Sequence, residues 1–251
     1  MLSLWNEQTV LIDAEHASLL APGVAFDDRM KVLHAGDPAT AVASLLGAVE
    51  RRGPRWRNRL NVWLGYPWFH GQLLAWQPGL KGGDSHWCNY AQALLRERGI
   101  TGSLRVRLGA ARYGQARLAF AADATMLDAL ERKVGEQGWT VAGCRDVLSA
   151  SVQRFRGALS HAGQCLVLAE RTAMTCLWQS EQGWQDMITL QMSPGQSADA
   201  GIAAAQALCA RTTPAQYGWV STLGPQQLPP AAQARWLGFP HAMLAERTWP
   251  A

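Results

Sequence analysis

The chain has 251 residues, 48% of them hydrophobic and only 17% charged, a balance that excludes a disordered protein and suffices for one large core or two lobes of about 100–150 residues each. Its net charge of +4 comes from arginine, since lysine occurs only at Lys31, Lys81 and Lys133, and so modest an excess favours acidic partners only weakly. No stretch approaches about 18 uninterrupted apolar residues, and the opening residues 1–7 lack a basic segment ahead of a long apolar run, so neither a membrane span nor a signal peptide is expected.

Residues 9–13 and 17–20 read as a short hairpin, with a third extended piece at 30–34. Asp37-Pro38 then supplies an N-cap followed by proline at the first helical position, and Val42, Leu45, Leu46 and Val49 recur at helical spacing behind it. A basic loop, residues 51–59, leads into an apolar strand at 60–66. The next stretch reads as an insertion. It holds a strand at 72–76, a loop around Lys81-Gly82-Gly83, a helix capped by Asp84 and ended by Gly99, and a strand pair at 104–108 and 116–121. A further helix, capped by Asp123 and stopped by Gly138, and a strand at 139–144 complete a β-α-β-β-α-β order.

In the second half, residues 164–169, 173–179 and 184–192 form a three-strand meander, a helix covers 198–211, and a strand follows at 217–221. Residues 230–237 read as a last short helix. The layout of strand, turn, strand, extended piece, helix and strand thus occurs twice, from Thr9 and again from Gln164. The expected fold class is α/β (α+β), with duplicated ribonuclease-H-like lobes. The first lobe spans 1–155 with its insertion at about 67–137, and the second spans 156–251.

The residues that suggest a family are Thr9-Val10-Leu11-Ile12-Asp13 followed by Ala17-Ser18-Leu19-Leu20, the strand–helix–turn segment 119–138, and the meander ending in Trp178-Gln179-Ser180-Glu181-Gln182-Gly183-Trp184. Together they resemble the degenerate actin-like group, the PilM-type proteins of type IV pili and the cytoplasmic domain of GspL-type proteins of type II secretion. The resemblance rests on element order over most of the chain. It implies two actin-like lobes facing a cleft, a cytoplasmic location peripheral to the inner membrane, and a non-catalytic scaffold that binds the cytoplasmic tail of a bitopic inner-membrane assembly protein. A motor ATPase is a further implied partner, self-association stays open, and contact with the membrane is expected only through partners.

Actin-like ATPases carry an Asp-x-Gly-x-Thr/Ser turn in each half, where glycine lets the backbone approach phosphate. The corresponding turns here are Asp13-Ala14-Glu15-His16, with Ser18 nearby, and Ala169-Glu170-Arg171-Thr172. Neither contains glycine. Glu15 stands where glycine is expected and brings a carboxylate to the phosphate position, where like charges about 4 Å apart repel by roughly 4 kcal/mol at an effective dielectric near 20. Asp13, Glu15, Ser18, Glu170 and Thr172 therefore read as degenerate phosphate turns, with no cofactor and no catalytic residue expected. The alternative is a nucleotide-binding kinase or ATPase with atypical loops that uses ATP and magnesium through Asp13.

Other constellations have plainer accounts. Asp13, Glu15 and His16 form the nearest approach to a metal site, but the other candidate carboxylates, Asp27, Asp28, Asp123, Asp128 and Asp146, fall in loops or caps. His86 and Cys88 have half of a zinc spacing with no second pair, and the five widely spaced cysteines read as reduced thiols. The loop 51–59, with Trp56 among its arginines, suits an anionic surface or an acidic peptide better than nucleic acid, with a solvated loop the plainest account. The aromatic series beyond it is the strongest binding feature. The resemblance implies that Trp68, Phe69, Trp76 and Trp87 line a groove for the partner's tail, with core packing the equal alternative.

Overall fold

The computed structural model describes residues 5–21, 24, 28–80, 83–159, 163–211, 214, 216–225 and 234–244. The chain divides into two compact units, one of Met1–Phe69, Ala122–Val147 and His241–Ala251, the other of His70–Ala121 and Leu148–Pro240.

The first unit is built on β1 (Asn6–Ile12), β2 (His16–Leu20), β3 (Lys31–Leu33), α1 (Pro38–Gly47) and β4 (Asn58–Leu64). Asp37 caps α1 as its sequence predicts, its carboxylate accepting the Thr40 amide at 3.0 Å and also the Thr40 hydroxyl. The apolar stripe Val42, Leu45 and Leu46 is buried. β1 and β4 run in parallel, and the rung that opens their ladder pairs Asn6 with Asn58. The Asn6 side chain donates to the Asn58 carboxamide oxygen at 2.9 Å.

The inserted region contains β5 (His70–Leu74), α2 (Asp84–Glu97), β6 (Leu104–Leu108) and β7 (Arg117–Asp123), with the strands in the order β5-β7-β6. Trp87, Ala91 and Leu95 form the buried face of α2. Gly83 rather than Asp84 is the N-cap, and the Asp84 carboxylate instead pairs with Arg117 at 2.8 Å. The Lys81-Gly82 part of the expected loop lies outside the described residues.

The β-α-β-β-α-β element order is as expected, but its members do not all belong to one subdomain. The last helix and strand, α3 (Ala124–Glu136) and β8 (Thr140–Asp146), belong to the first unit. β4 offers an open parallel edge, and β8 fills it from Arg59 opposite Thr140 to Leu64 opposite Asp146. α3 packs on α1 with Leu127, Leu130 and Val134 buried, and Lys133 donates to the Thr40 hydroxyl at 2.7 Å. The first sheet is therefore β3-β2-β1-β4-β8.

A short helix that the sequence did not announce, α4 (Val147–Arg154), precedes β9 (Gln164–Ala169), β10 (Ala173–Ser180), β11 (Gly183–Gln191), α5 (Ala198–Leu208), β12 (Gln216–Ser221) and β13 (Ala234–Gly238). The final helix expected at 230–237 is a strand over its described part. β13 runs parallel to β12, and cross-strand pairing of Tyr217 with Ala234 and Trp219 with Trp236 outweighs the local helical pattern. The second sheet is β11-β10-β9-β12-β13, the order of the first. Its opening parallel rung joins Gln164 to Gln216, again by a side-chain amide contact, at 3.4 Å. Within this unit Gly71 of β5 lies so close to Met187 of β11 that an added Cβ would stand 2.8 Å from its methyl carbon.

Candidate functional site

The chain leaves β1 at Asp13 and turns back into β2 within three residues. The Asp13 amide donates to the His16 carbonyl at 2.9 Å and closes the hairpin. Asp13 Oδ1 accepts the amide hydrogens of Glu15 at 2.8 Å and His16 at 2.7 Å. Aspartate does this readily because its short side chain reaches its own backbone two residues on. The carboxylate thus sits on two of the amides that a phosphate-gripping turn would present to its ligand.

Two rings hold the turn from behind. The Trp68 indole donates to the Asp13 carbonyl at 2.7 Å, and His34 Nε2 lies 3.1 Å from the same oxygen. The Gly36 amide donates to His34 Nδ1 at 3.1 Å, which leaves the ring proton on Nε2 and makes that nitrogen the donor to Asp13. Gly36 reaches this position at φ +91°, a conformation that side chains oppose. The His34 amide bonds the Glu15 carbonyl at 3.0 Å, and its ring meets Trp68 edge-on at 5.1 Å. Asp13, Ser18 and His34 are all buried.

The second turn repeats the backbone pattern. The Glu170 amide donates to the Ala173 carbonyl at 2.9 Å, as Asp13 does to His16. Thr222 donates to Ala169 at 3.1 Å where Gly65 donates to Ile12 at 2.8 Å, so the two hairpins are held to their neighbouring parallel strands alike. The aspartate of the first turn is replaced by the buried Glu170, and the Thr172 carbonyl accepts the Met192 amide at 2.8 Å. Beyond β12, the Ser221 hydroxyl accepts the Leu223 amide at 3.0 Å, and Gly224 follows at φ +117°.

Of the four aromatic residues expected to line a groove, Phe69 and Trp87 are buried, which is the packing alternative. Trp87 belongs to a cluster with Leu74, Ala91 and Ala119. Trp68 is half-buried, its indole N–H taken by Asp13. Trp76 keeps partial exposure, tilted against Trp87 at 5.9 Å and edge-on to the exposed Tyr113 at 5.0 Å. His34 was not singled out from the sequence. It lies 21 residues from Asp13, and nothing local in the sequence marks that pairing.

In the first turn two amide hydrogens, those of Glu15 and His16, already serve Asp13 Oδ1, and the Glu15 side chain is exposed. Among the described residues no three His, Cys, Asp or Glu side chains are grouped as metal ligands. All five cysteines are free thiols. Burial raises the Cys165 thiol well above its usual range and Cys209 to about 11, so both stay protonated and unreactive near neutrality.

No family model and no curated protein matches the sequence. Solved structures do match the fold. A protein of Bacteroides thetaiotaomicron with an actin-like ATPase fold and unknown function superposes with a TM-score of 0.56 at 7% identity, over 88% of this chain and 82% of that one. The cytoplasmic domain of EpsL, an inner-membrane component of the type II secretion system of Vibrio cholerae, gives 0.52 at 12% identity over 95% and 92%. A chain of the PilM–PilN type IV pilus biogenesis complex gives 0.51 at 9% identity over 87% and 82%. The chain has the actin-like ATPase fold, and no helix among its described residues is long and apolar enough to cross a membrane.

Proposed function

We propose that the chain is a non-catalytic, cytoplasmic scaffold of a type IV pilus or type II secretion-like envelope machine that binds the cytoplasmic tail of an inner-membrane partner. The observation that carries this reading is the extent of the likeness to the EpsL domain, which covers nearly the whole of both chains. The PilM–PilN complex, in which a chain of this fold is joined to a second protein, supports a docking role. The first turn adds to the case. Its Asp13 carboxylate occupies the donors that nucleotide chemistry needs, so the hairpin works as a structural corner.

The test has two parts. The chain is co-purified with the cytoplasmic tail of each single-span membrane protein encoded beside it, and a stable stoichiometric complex is expected with one of them. Calorimetry with magnesium and ATP is expected to be silent. Micromolar nucleotide binding lost on Asp13→Ala would overturn the scaffold in favour of the kinase or ATPase alternative.

A further inference from the structure

The first unit carries a feature that neither hairpin turn uses, at the edge where β1 and β4 begin. Every residue from Arg51 to Arg57 is exposed, so this loop projects into solvent. Trp56 at its tip is 55% exposed and Trp5 is 40% exposed, and their rings stand edge to face 5.4 Å apart. The Arg57 guanidinium covers the Trp56 ring at 4.9 Å, and that of Arg59 covers Trp5 at 5.1 Å. Among the described residues no carboxylate forms an ion pair with Arg51, Arg52, Arg55, Arg57 or Arg59.

The loop is held in place. Asn58, fully buried, accepts the Arg52 amide at 2.8 Å and the Asn6 side chain at 2.9 Å, and donates to the Pro54 carbonyl at 3.3 Å. Arg55 donates to the Trp139 carbonyl at 3.2 Å, just beyond the C-terminal end of α3. These bonds fix the loop's shape while leaving Arg52, Arg57 and the two indoles exposed and Arg59 half-buried. Exposed cations on a fixed platform, with no ion pair among the described residues, can receive an anionic counterpart.

We infer that this edge is a peripheral docking surface for a bilayer containing anionic phospholipid. Guanidinium groups attract the headgroup phosphates, while an indole is suited to the interfacial layer because one end is apolar and the other donates a hydrogen bond. A nucleic acid would need open indole faces for base stacking, and here each ring already has a guanidinium over it. An extended acidic peptide would need a groove, whereas seven consecutive exposed residues form a projection. The inference is independent of the scaffold reading and goes beyond it, since it lets the chain touch the membrane without a partner.

The full chain is sedimented with vesicles of phosphatidylcholine alone and of phosphatidylcholine mixed with phosphatidylglycerol. Binding is expected only to the mixed vesicles, and it should fall with added salt. Each arginine near such a surface contributes about fivefold to partitioning, so the double variant Arg52→Ala/Arg57→Ala should bind roughly 25-fold more weakly. Arg52→Lys/Arg57→Lys keeps the charge and should bind nearly as well as the parent, which separates lost attraction from lost folding. Trp5→Ala/Trp56→Ala should weaken vesicle binding with the fold intact by circular dichroism. The inference is overturned by equal binding to both vesicle types or to neither, by alanine variants that partition like the parent, by a lysine pair that fails to bind, or by tighter binding to a single-stranded oligonucleotide or a glutamate-rich peptide at the same ionic strength.

Discussion

The two five-stranded sheets share a strand order, a mix of antiparallel and parallel pairing and a hairpin closure, yet they are filled by different means. In the first, β1, β4 and α1 contribute aliphatic side chains of similar size, Val10, Ile12, Leu60 and Val62 from the sheet and Val42, Leu45 and Leu46 from the helix, and the buried indoles of the unit are Trp63 and Trp139. In the second, the strands carry the bulk. Trp178, Tyr217 and Trp219 join Met174, Cys165 and Cys176 in one cluster, and the helix facing them offers Gly201, Ile202 and Ala205. The topology thus constrains the total volume between sheet and helix and leaves free which layer supplies it.

The difference can be broken most sharply at Trp219. Trp219→Ala should cost about 4 kcal/mol in urea unfolding, because the small residues of α5 cannot extend into the space. Trp219→Phe should cost less than half of that, since the indole N–H has no hydrogen-bond partner among the described residues and its removal relieves a buried donor. Equal losses for the two variants would mean that the bulk of Trp219 is not what fills this layer.

Asp13→Ala strips two partly buried turn amides of their acceptor and should cost about 2 kcal/mol, whereas Asp13→Asn keeps an oxygen at the same place and should cost much less. The next contrast uses one substitution in the equivalent helices. Gly201→Val should destabilise by about 1 kcal/mol, because its Cβ would stand 2.6 Å from the Met174 methyl carbon and 2.9 Å from that of Met192, and both methionine ends would have to move aside. Gly47→Val should stay within about 0.5 kcal/mol, its Cβ meeting only Gln137 at 3.8 Å. A similar loss at both glycines would show that the helices are packed alike after all.

The smallest contrast lies in the caps. Asp37→Ala and Ser197→Ala should each cost about 1 kcal/mol at neutral pH. Only the first effect depends on pH. Bonds from the Thr40 hydroxyl and then the Thr40 amide hold the Asp37 carboxyl below the usual carboxylate range. A carboxyl depressed in the folded state stabilises above the unfolded value and loses that contribution as pH falls through the folded one. The Asp37→Ala penalty should therefore shrink below about pH 4, while that of Ser197→Ala stays constant.

Much of this architecture was legible because its signals are local. The hairpins, the Asp37 and Asp123 caps and the meander from Gln164 each rest on alternation or capping within a few residues. The departures all involve partners far along the chain. Residues 234–238 look helical alone and become a strand beside β12, and α3 and β8 look like the end of an insertion until β4 supplies their edge. At the candidate site Asp13 and Glu15 were visible as a turn without glycine. The roles of His34 and Trp68 were not, because their bonds to Asp13 span 21 and 55 residues. Phe69 and Trp87 show the opposite limit, since an aromatic run does not say which rings the core will take.

The amide pairs that open the two parallel ladders have a kinetic consequence. Asn6 and Asn58 lie 52 residues apart, and so do Gln164 and Gln216. The central strands of each half must therefore close loops of the same contour, at the same entropic cost. The outer parallel strand is different: the connection from β4 to β8 is roughly six times longer than that from β12 to β13, which adds roughly 1.5 kcal/mol of closure entropy. The three central strands of the halves (β2, β1, β4 and β10, β9, β12) start folding on equal terms, whereas both outer strands of the first sheet need longer connections than their counterparts, residues 21–30 against 181–182 for the antiparallel edge as well, so chain length makes the first sheet the later one to finish.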